Sequence, residues 1–500
     1  MVPRTNDEDP KGENGRAPDA GGDGAVEDRT AAEPAGGAPP GAVGAGERVA
    51  ALPRVPAAAR RRRRAQVAGC AVLLAVALTG ASVAVGNTRA GDARAPATTG
   101  GGVDPAALLG GDLDAAVSAL QAHLRAQPRD FGAWASLGLA YVEQARVDGD
   151  PSRYPQAGKA LERSLALRPR NDQALAGRAA LAAARHDFAA ALDQAGRALE
   201  QNPYNERALC SRIDALLELG RYEQAAKAAD EADSRRPGIP VFTRYAYVRE
   251  LRGDVRTARR VLEQAQDAAV TPADRAYVAT ALGQLAWNQG DHVSALRHYA
   301  RALAADDGYL PALEGRARAQ AAGGDRAEAV RGMTAVVAAA PLPGALVALG
   351  ELYEAGGDRA KAREQYALVH AWTALARAGG VNADLDTALA AADHGDKKLA
   401  LRAARAEWDR RRTVHTADAL AWALHVNGRA EEARPYARRA TATGYRNAAF
   451  LYHRGMIERA TGRAKEARAS LTRALELNSG FSPLGAREAR TALKSLEAAR

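Results

Sequence analysis

The chain reads as an all-α protein, a solenoid of stacked helix pairs, and two observations predict it. The phrase Gly-[Asp/Arg]-x-x-x-Ala recurs along the chain at Gly111, Gly220, Gly253, Gly290, Gly324, Gly357, Gly395, Gly428 and Gly462. From Gly220 onward the steps are 33, 37, 34, 33, 38, 33 and 34 residues. A fixed period in this range marks an array in which each helix pair buries its apolar face on its neighbours. In addition, Pro169, Pro203 and Pro237 are spaced 34 residues apart, and two helical stretches, 172–184 and 188–200, lie between the first two. Proline cannot continue a helix, so it closes the unit.

The elements follow in order. Residues 1–59 are rich in Gly, Ala, Pro, Asp and Glu without apolar periodicity, which predicts a disordered tail unable to offset its chain entropy. A basic run, Arg60 to Arg64, precedes an uncharged apolar stretch at 65–86. As a helix this stretch spans roughly 33 Å, enough for a hydrocarbon core of about 30 Å. It is therefore expected to be a transmembrane helix. The arginine run orients the tail to the cytoplasm and the repeats outside, as a single-pass protein of the cell membrane. The alternative is secretion after cleavage near Ser82-Val83-Ala84, against which the long N-terminal region speaks. Val67-Ala68-Gly69-Cys70 is not a lipoprotein box, because the apolar stretch follows the cysteine instead of preceding it. Residues 87–103 form a flexible linker. Cys70 and Cys210 are the two cysteines, too differently placed to form a disulfide framework.

The array is expected over 104–483, about ten and a half units with a half unit at 104–128, followed by a capping helix at 484–500. Within the phrase, glycine allows a positive φ or a close approach at the end of the first helix. Asp, where it follows, caps the second helix. The alanine, one turn into that helix, is placed where the two helices cross. These structural positions are Gly220 and Ala225, Gly253 and Ala258, Gly290 and Ala295, Gly324 and Ala329, Gly357 and Ala362, Gly395 and Ala400, Gly428 and Ala433, and Gly462 and Ala467. The phrase breaks at His186, which replaces the glycine, at an insertion after Ala145, and in the irregular stretch 370–394. The turns near 307, 445 and 479 lack the proline.

Trp134, Leu137-Gly138, Tyr141, Ala157 and Pro169 follow one another in an order that resembles the tetratricopeptide repeat family. Leu282-Gly283, Gly290, Ala295 and Tyr299 give a second copy, and Leu349-Gly350, Tyr353, Gly357, Ala362 and Tyr366 a third. The resemblance implies a right-handed superhelix whose first helices line a concave groove for a peptide or a partner helix. It makes Tyr247, Glu250, Tyr277, Gln284, Trp287, Asn288, Arg318 and Glu351 candidate partner-binding residues, the aromatic ones as anchors. The competing reading is that Trp287 and Tyr277 pack between units. Lysine is sparse and falls mostly in second helices, so the carboxylate clamp of some family members is not expected.

A polar cluster stands out near the C-terminal end. His415, Asp418, Trp422 and His425 share one helix face by their spacing. Asp393 and His394 fall near the end of the preceding first helix, with Tyr452 and His453 in the following one. The cluster is a candidate hot spot for a partner. As an alternative, it serves a metal- or small-ligand-binding accessory protein over 393–453, since His and carboxylate suit zinc, nickel or copper. No short ligand spacing such as HExxH occurs, and a hydrogen-bonded polar layer between units explains the same residues. No phosphate loop and no nucleophile elbow is present, so no enzyme, cofactor or catalytic residue is expected. The formal charge of +10 is spread over helix surfaces rather than gathered into a stripe, which speaks against nucleic acid. The Ala, Arg and Gly usage fits a high-GC bacterial source. The expectation is a membrane-anchored scaffold for a protein or peptide partner, with self-association of the solenoid a further alternative.

Overall fold

The computed structural model describes residues 113–148, 151–378 and 380–498. All of them fall in one compact unit, Val55–Arg500. The expected tail, basic run, apolar span, linker and first phrase at Gly111 lie outside the described residues. No helix among the described residues is long and apolar enough to cross a membrane.

The described residues are helical, without strands. A lone helix, α1 (Leu113–Ala126), precedes ten pairs: α2 (Phe131–Asp148) with α3 (Tyr154–Leu167), α4 (Asp172–Ala184) with α5 (Phe188–Gln201), α6 (Glu206–Glu218) with α7 (Tyr222–Arg235), α8 (Ile239–Leu251) with α9 (Val255–Asp267), and α10 (Pro272–Asn288) with α11 (His292–Ala305). The second five are α12 (Leu310–Ala322) with α13 (Arg326–Ala339), α14 (Pro343–Ala355) with α15 (Arg359–Ala378), α16 (Asp384–His394) with α17 (Lys397–Arg410), α18 (Val414–Val426) with α19 (Ala430–Ala440), and α20 (Ala448–Ala460) with α21 (Ala464–Leu477). The helix α22 (Gly485–Ala498) ends the array. The insertion after Ala145 is absorbed by lengthening α2 and by a short 3₁₀ turn at Pro151–Arg153. The irregular stretch has a simple form: α15 extends to 20 residues and α16 shortens to 11.

The phrase behaves as its chemistry requires. Asp187, Asp254, Asp291, Asp325 and Asp396 each accept a backbone N–H at the start of the following helix. Where Arg stands instead, at Arg221, Arg429 and Arg463, the side chain makes no cap bond, since it has no acceptor. Ala225, Ala295, Ala329, Ala400, Ala433 and Ala467 are fully buried, with Ala258 and Ala362 nearly so. Seven of the phrase glycines take positive φ; Gly395 does not, and its φ of −150° is extended backbone. A Cβ there would meet Ala391 Cα at 3.1 Å, so close approach is its role.

First and second helices are buried differently. Second helices are amphipathic: α9 buries Ala258, Val261, Leu262 and Ala265 and exposes Arg256, Arg259, Arg260 and Glu263. First helices are buried nearly all round, as in α18 from Thr416 to Leu424. A helix apolar or small on every side needs neighbours on every side.

Those neighbours include a second superhelical turn. The bend joining the two helices of a unit in the N-terminal half docks on a bend between units in the C-terminal half. His186 Nδ1 lies 2.6 Å from the carbonyl of Asn382. Val414 N–H donates to Tyr222 Oη at 2.8 Å, and Asn478 Nδ2 donates to the Trp287 carbonyl at 2.8 Å. A Cβ on Gly220 would meet the Arg412 carbonyl oxygen at 2.4 Å, one on Gly253 the Gly444 oxygen at 2.7 Å, and one on Gly290 the Leu477 oxygen at 2.1 Å. Gly480 closes on Ala322 in the same way. Tyr222 and Val414 are 192 residues apart, between five and six units of 34 residues. The ribbon of helix pairs therefore meets its own edge after one turn, along a seam of five successive contacts.

The seam is sealed beneath by Arg411, whose guanidinium pairs with Glu218 and Glu407, all three side chains buried. An apolar cluster from Leu175 to Leu251 continues into Val414, Ala417, Ala440 and Phe450 of the second turn. Extensive helix-to-helix packing runs only between neighbours and next neighbours in the chain. The two turns meet through bends and side-chain tips.

Candidate functional site

The candidates on α8, α10, α12 and α14 all lie on first helices, and most are tied to one another. Tyr277 Oη donates to Thr243 Oγ1 at 3.2 Å. Gln284 Nε2 donates to Asn288 Oδ1 at 2.8 Å, and Asn288 Nδ2 donates to Glu250 Oε1 at 2.7 Å. Arg318 pairs with Glu314 at 2.6 Å. Arg244, also on α8, is buried against Asp214 of α6, its Nε 2.9 Å from both carboxylate oxygens. Burial raises the Glu250 carboxyl to about 7, with the Asn288 amide acting against that shift. A buried acid held by a single amide donor is poorly solvated as a carboxylate.

Exposure separates these residues. Tyr247, Tyr277, Gln284, Asn288, Arg318 and Glu351 are half-buried, whereas Glu250 and Trp287 are buried. Trp287 packs on His292 with ring centroids 5.2 Å apart, and its backbone carbonyl takes part in the seam. It packs between helices and does not present its ring outward. Tyr247 sits against the cluster that joins the two superhelical turns, alongside Tyr222 and Tyr445.

The C-terminal cluster is one connected layer across successive first helices. From α18, Trp422 Nε1 donates to Asp393 Oδ1 of α16 at 2.6 Å, and its ring stacks on His453 of α20 at 4.2 Å. The Asp418 carboxylate spans His453 Nδ1 at 3.0 and 2.9 Å. Burial opposes a charge on His453, but Asp418 outweighs it and raises the pKa above the ordinary histidine value. His394 stacks on Tyr366 at 3.9 Å and lies 3.6 Å from Glu351, whose other oxygen accepts from Ser482 Oγ at 3.0 Å. Tyr452 Oη donates to Glu488 of α22 at 2.6 Å.

His415 and His425 differ from His453. Burial, reinforced by Arg411, lowers His415 to about 4. Burial also lowers His425 to about 4, with His453 and Lys397 adding to it. His415 packs against Tyr445 and Phe450. The spacing rule thus placed the four residues on one face correctly, and that face is turned inward against α20. Among the described residues no three of His, Cys, Asp and Glu converge as ligands for a metal ion. The layer is a hydrogen-bonded packing between units.

Sequence reasoning missed the seam. Its residues, His186, Tyr222, Asn382, Arg411 and Asn478, carry no motif. One position pointed to it: His186 stands where glycine is the rule, and in the structure it takes the left-handed φ of 60° that the glycines take.

The family model described as Tetratricopeptide repeat matches residues 105–151, 178–240, 251–309 and 419–480. Among curated proteins, none matches the chain. Solved structures with similar folds include the APC/C hetero-tetramer Cut9–Hcn1, at 14% identity over 76% of this chain and 81% of that one with a TM-score of 0.36. TTC0263, a thermophilic TPR protein of Thermus thermophilus, is 24% identical over 37% of this chain and 99% of its own, with a TM-score of 0.34. The pilF protein of Pseudomonas aeruginosa is 22% identical over 43% of this chain and 94% of its own, with a TM-score of 0.33. At such scores these likenesses do not bear on function. With ten helix pairs and a buried alanine at the crossings, the solenoid between Leu113 and Ala498 resembles an array of tetratricopeptide repeats, the family whose model matches these four segments.

Proposed function

We propose that the chain is a scaffold that binds a protein or peptide partner along the inner face of its solenoid, and that residues 65–86 anchor it in a membrane with the repeats outside the cytoplasm. The observation that carries the reading is the row of half-buried polar and aromatic side chains on successive first helices: Tyr277, Gln284, Asn288, Arg318 and Glu351. Held by hydrogen bonds to neighbours, they are already ordered, so a partner bound there meets little further cost of ordering. Recognition is the activity that such an ordered row of side chains suits. The anchor rests on the uncharged stretch 65–86 and the arginines before it.

A photo-crosslinking residue at Gln284 or Arg318 of the full chain, compared with one at the outward-facing Arg259, tests the binding face. Adducts from the inner positions alone are expected; adducts from Arg259 alone would refute the reading. For the anchor, protease added to intact cells is expected to cut the repeats. Repeats left whole while a known external protein is digested would reverse the orientation.

A further inference from the structure

We propose that the seam is a latch over the inner face, so that a partner reaches the first helices only when the two superhelical turns part; this rests on the inner-face reading above. The solenoid meets its own edge at five successive places, from His186–Asn382 through Gly220–Arg412, Gly253–Gly444 and Gly290–Leu477 to Ala322–Gly480. A ribbon joined edge to edge for this length encloses what its concave side carries. Tyr247 shows the consequence: its hydroxyl is buried without a hydrogen-bond partner, under Tyr445 of the opposite turn.

The latch is thin relative to the array it closes. Adjacent helices pack along their lengths, whereas the turns touch through bends, with Val414 N–H to Tyr222, Asn478 to Trp287, and the Arg411–Glu218 pair as the main polar links. In a repeat array, contacts beyond nearest neighbours are the ones that open without unfolding any unit. A small rotation shared over several unit interfaces separates the edges and leaves each helix pair intact. The absence of side chains at Gly220, Gly253 and Gly290 is what lets the edges close, because a Cβ at each would press on backbone of the other turn.

The test is a reversible staple in the full chain. A Cβ on Gly480 would lie 2.4 Å from Ala322 Cβ, so Ala322→Cys with Gly480→Cys, in a Cys70→Ser, Cys210→Ser background, reaches disulfide distance after a slight parting of the edges. Exchange of the Val414 amide, which donates to Tyr222 across the seam, is expected to be at least about tenfold slower oxidised than reduced, since parting of the edges frees it. Gly253→Ala, which wedges the seam, is expected to speed the same exchange. Equal exchange oxidised and reduced overturns the latch, whatever becomes of partner binding. A crosslinker at Gln284 is expected to capture partner only after reduction. Capture that is equal in both states overturns the latch and leaves the binding face intact. No capture in either state, with exchange still responding to the staple, sinks the binding face and leaves the latch standing.

Discussion

Two sets of glycines carry the same phrase and the same backbone conformation, yet they do different things. Gly220, Gly253 and Gly290 have φ of 71°, 80° and 75°; Gly324, Gly357, Gly428 and Gly462 have φ of 95°, 90°, 75° and 73°. Around the second set a Cβ would meet nothing within 4 Å, whereas around the first it would enter backbone of the next superhelical turn. Locally both sets end a first helix. Globally only the first set makes room for a second turn. A repeat motif can thus keep its form along an array while its physical necessity changes with position, because necessity depends on what the curvature of the ribbon brings opposite.

The comparison can be broken, from the largest effect down. Removing Arg411, as Arg411→Ala, strands the buried carboxylates of Glu218 and Glu407 at the seam and is expected to destabilise by about 3–5 kcal/mol in urea unfolding. The outer pair Arg331–Glu328 is exposed, and Arg331→Ala is expected to leave the urea midpoint nearly unchanged. Next, Gly290→Ala combines the left-handed conformation with a clash on Leu477 and is expected to cost about 2–4 kcal/mol. Gly428→Ala meets the conformational term alone, about 1–2 kcal/mol. Similar midpoints for these two variants would mean that the seam does not form. The crossing alanines are a control independent of the seam. Ala329→Leu is expected to overpack by about 1–3 kcal/mol, and an unchanged midpoint would misplace the alanine.

The remaining test is pH dependence. His186 at the seam is lowered to about 4, by burial first and by Arg411 second, as His415 and His425 are by burial. A histidine whose folded pKa lies below its unfolded value of about 6.5 favours the folded state fully above pH 6.5, and that contribution is lost as pH falls through 4. Stability is expected to fall between about pH 6.5 and 4. His186→Asn should weaken that slope; an unaltered slope would remove His186 from the account. Glu250, raised to about 7, acts the other way, losing stability as pH rises from about 4.5 to 7. Glu250→Gln should flatten that limb.

Much of the fold was legible in the sequence because its determinants are local. Glycine, the Asp cap and the crossing alanine act within about ten residues, and they located helices such as α4 and α5. The spacing of His415, Asp418, Trp422 and His425 likewise gave the shared face and its neighbours Asp393 and Tyr452. Whether that face looks at solvent or at α20 was not legible, since polar residues fit either role until their partners are known. Asp418 with His453 and Trp422 with Asp393 satisfy each other inside. The seam was the least legible feature. It joins residues 158 to 196 apart through backbone groups and through the absence of side chains, and neither leaves a pattern in composition or period.

The most direct test of the central claim, that the array closes on itself, is the formation of the Ala322→Cys to Gly480→Cys disulfide under mild oxidation. A closed coil predicts rapid, complete, intramolecular bonding, with no comparable bond in a control joining Ala322→Cys to Gly428→Cys at an open bend. An open solenoid would leave the first pair as slow to bond as the control, and that result would contradict the account.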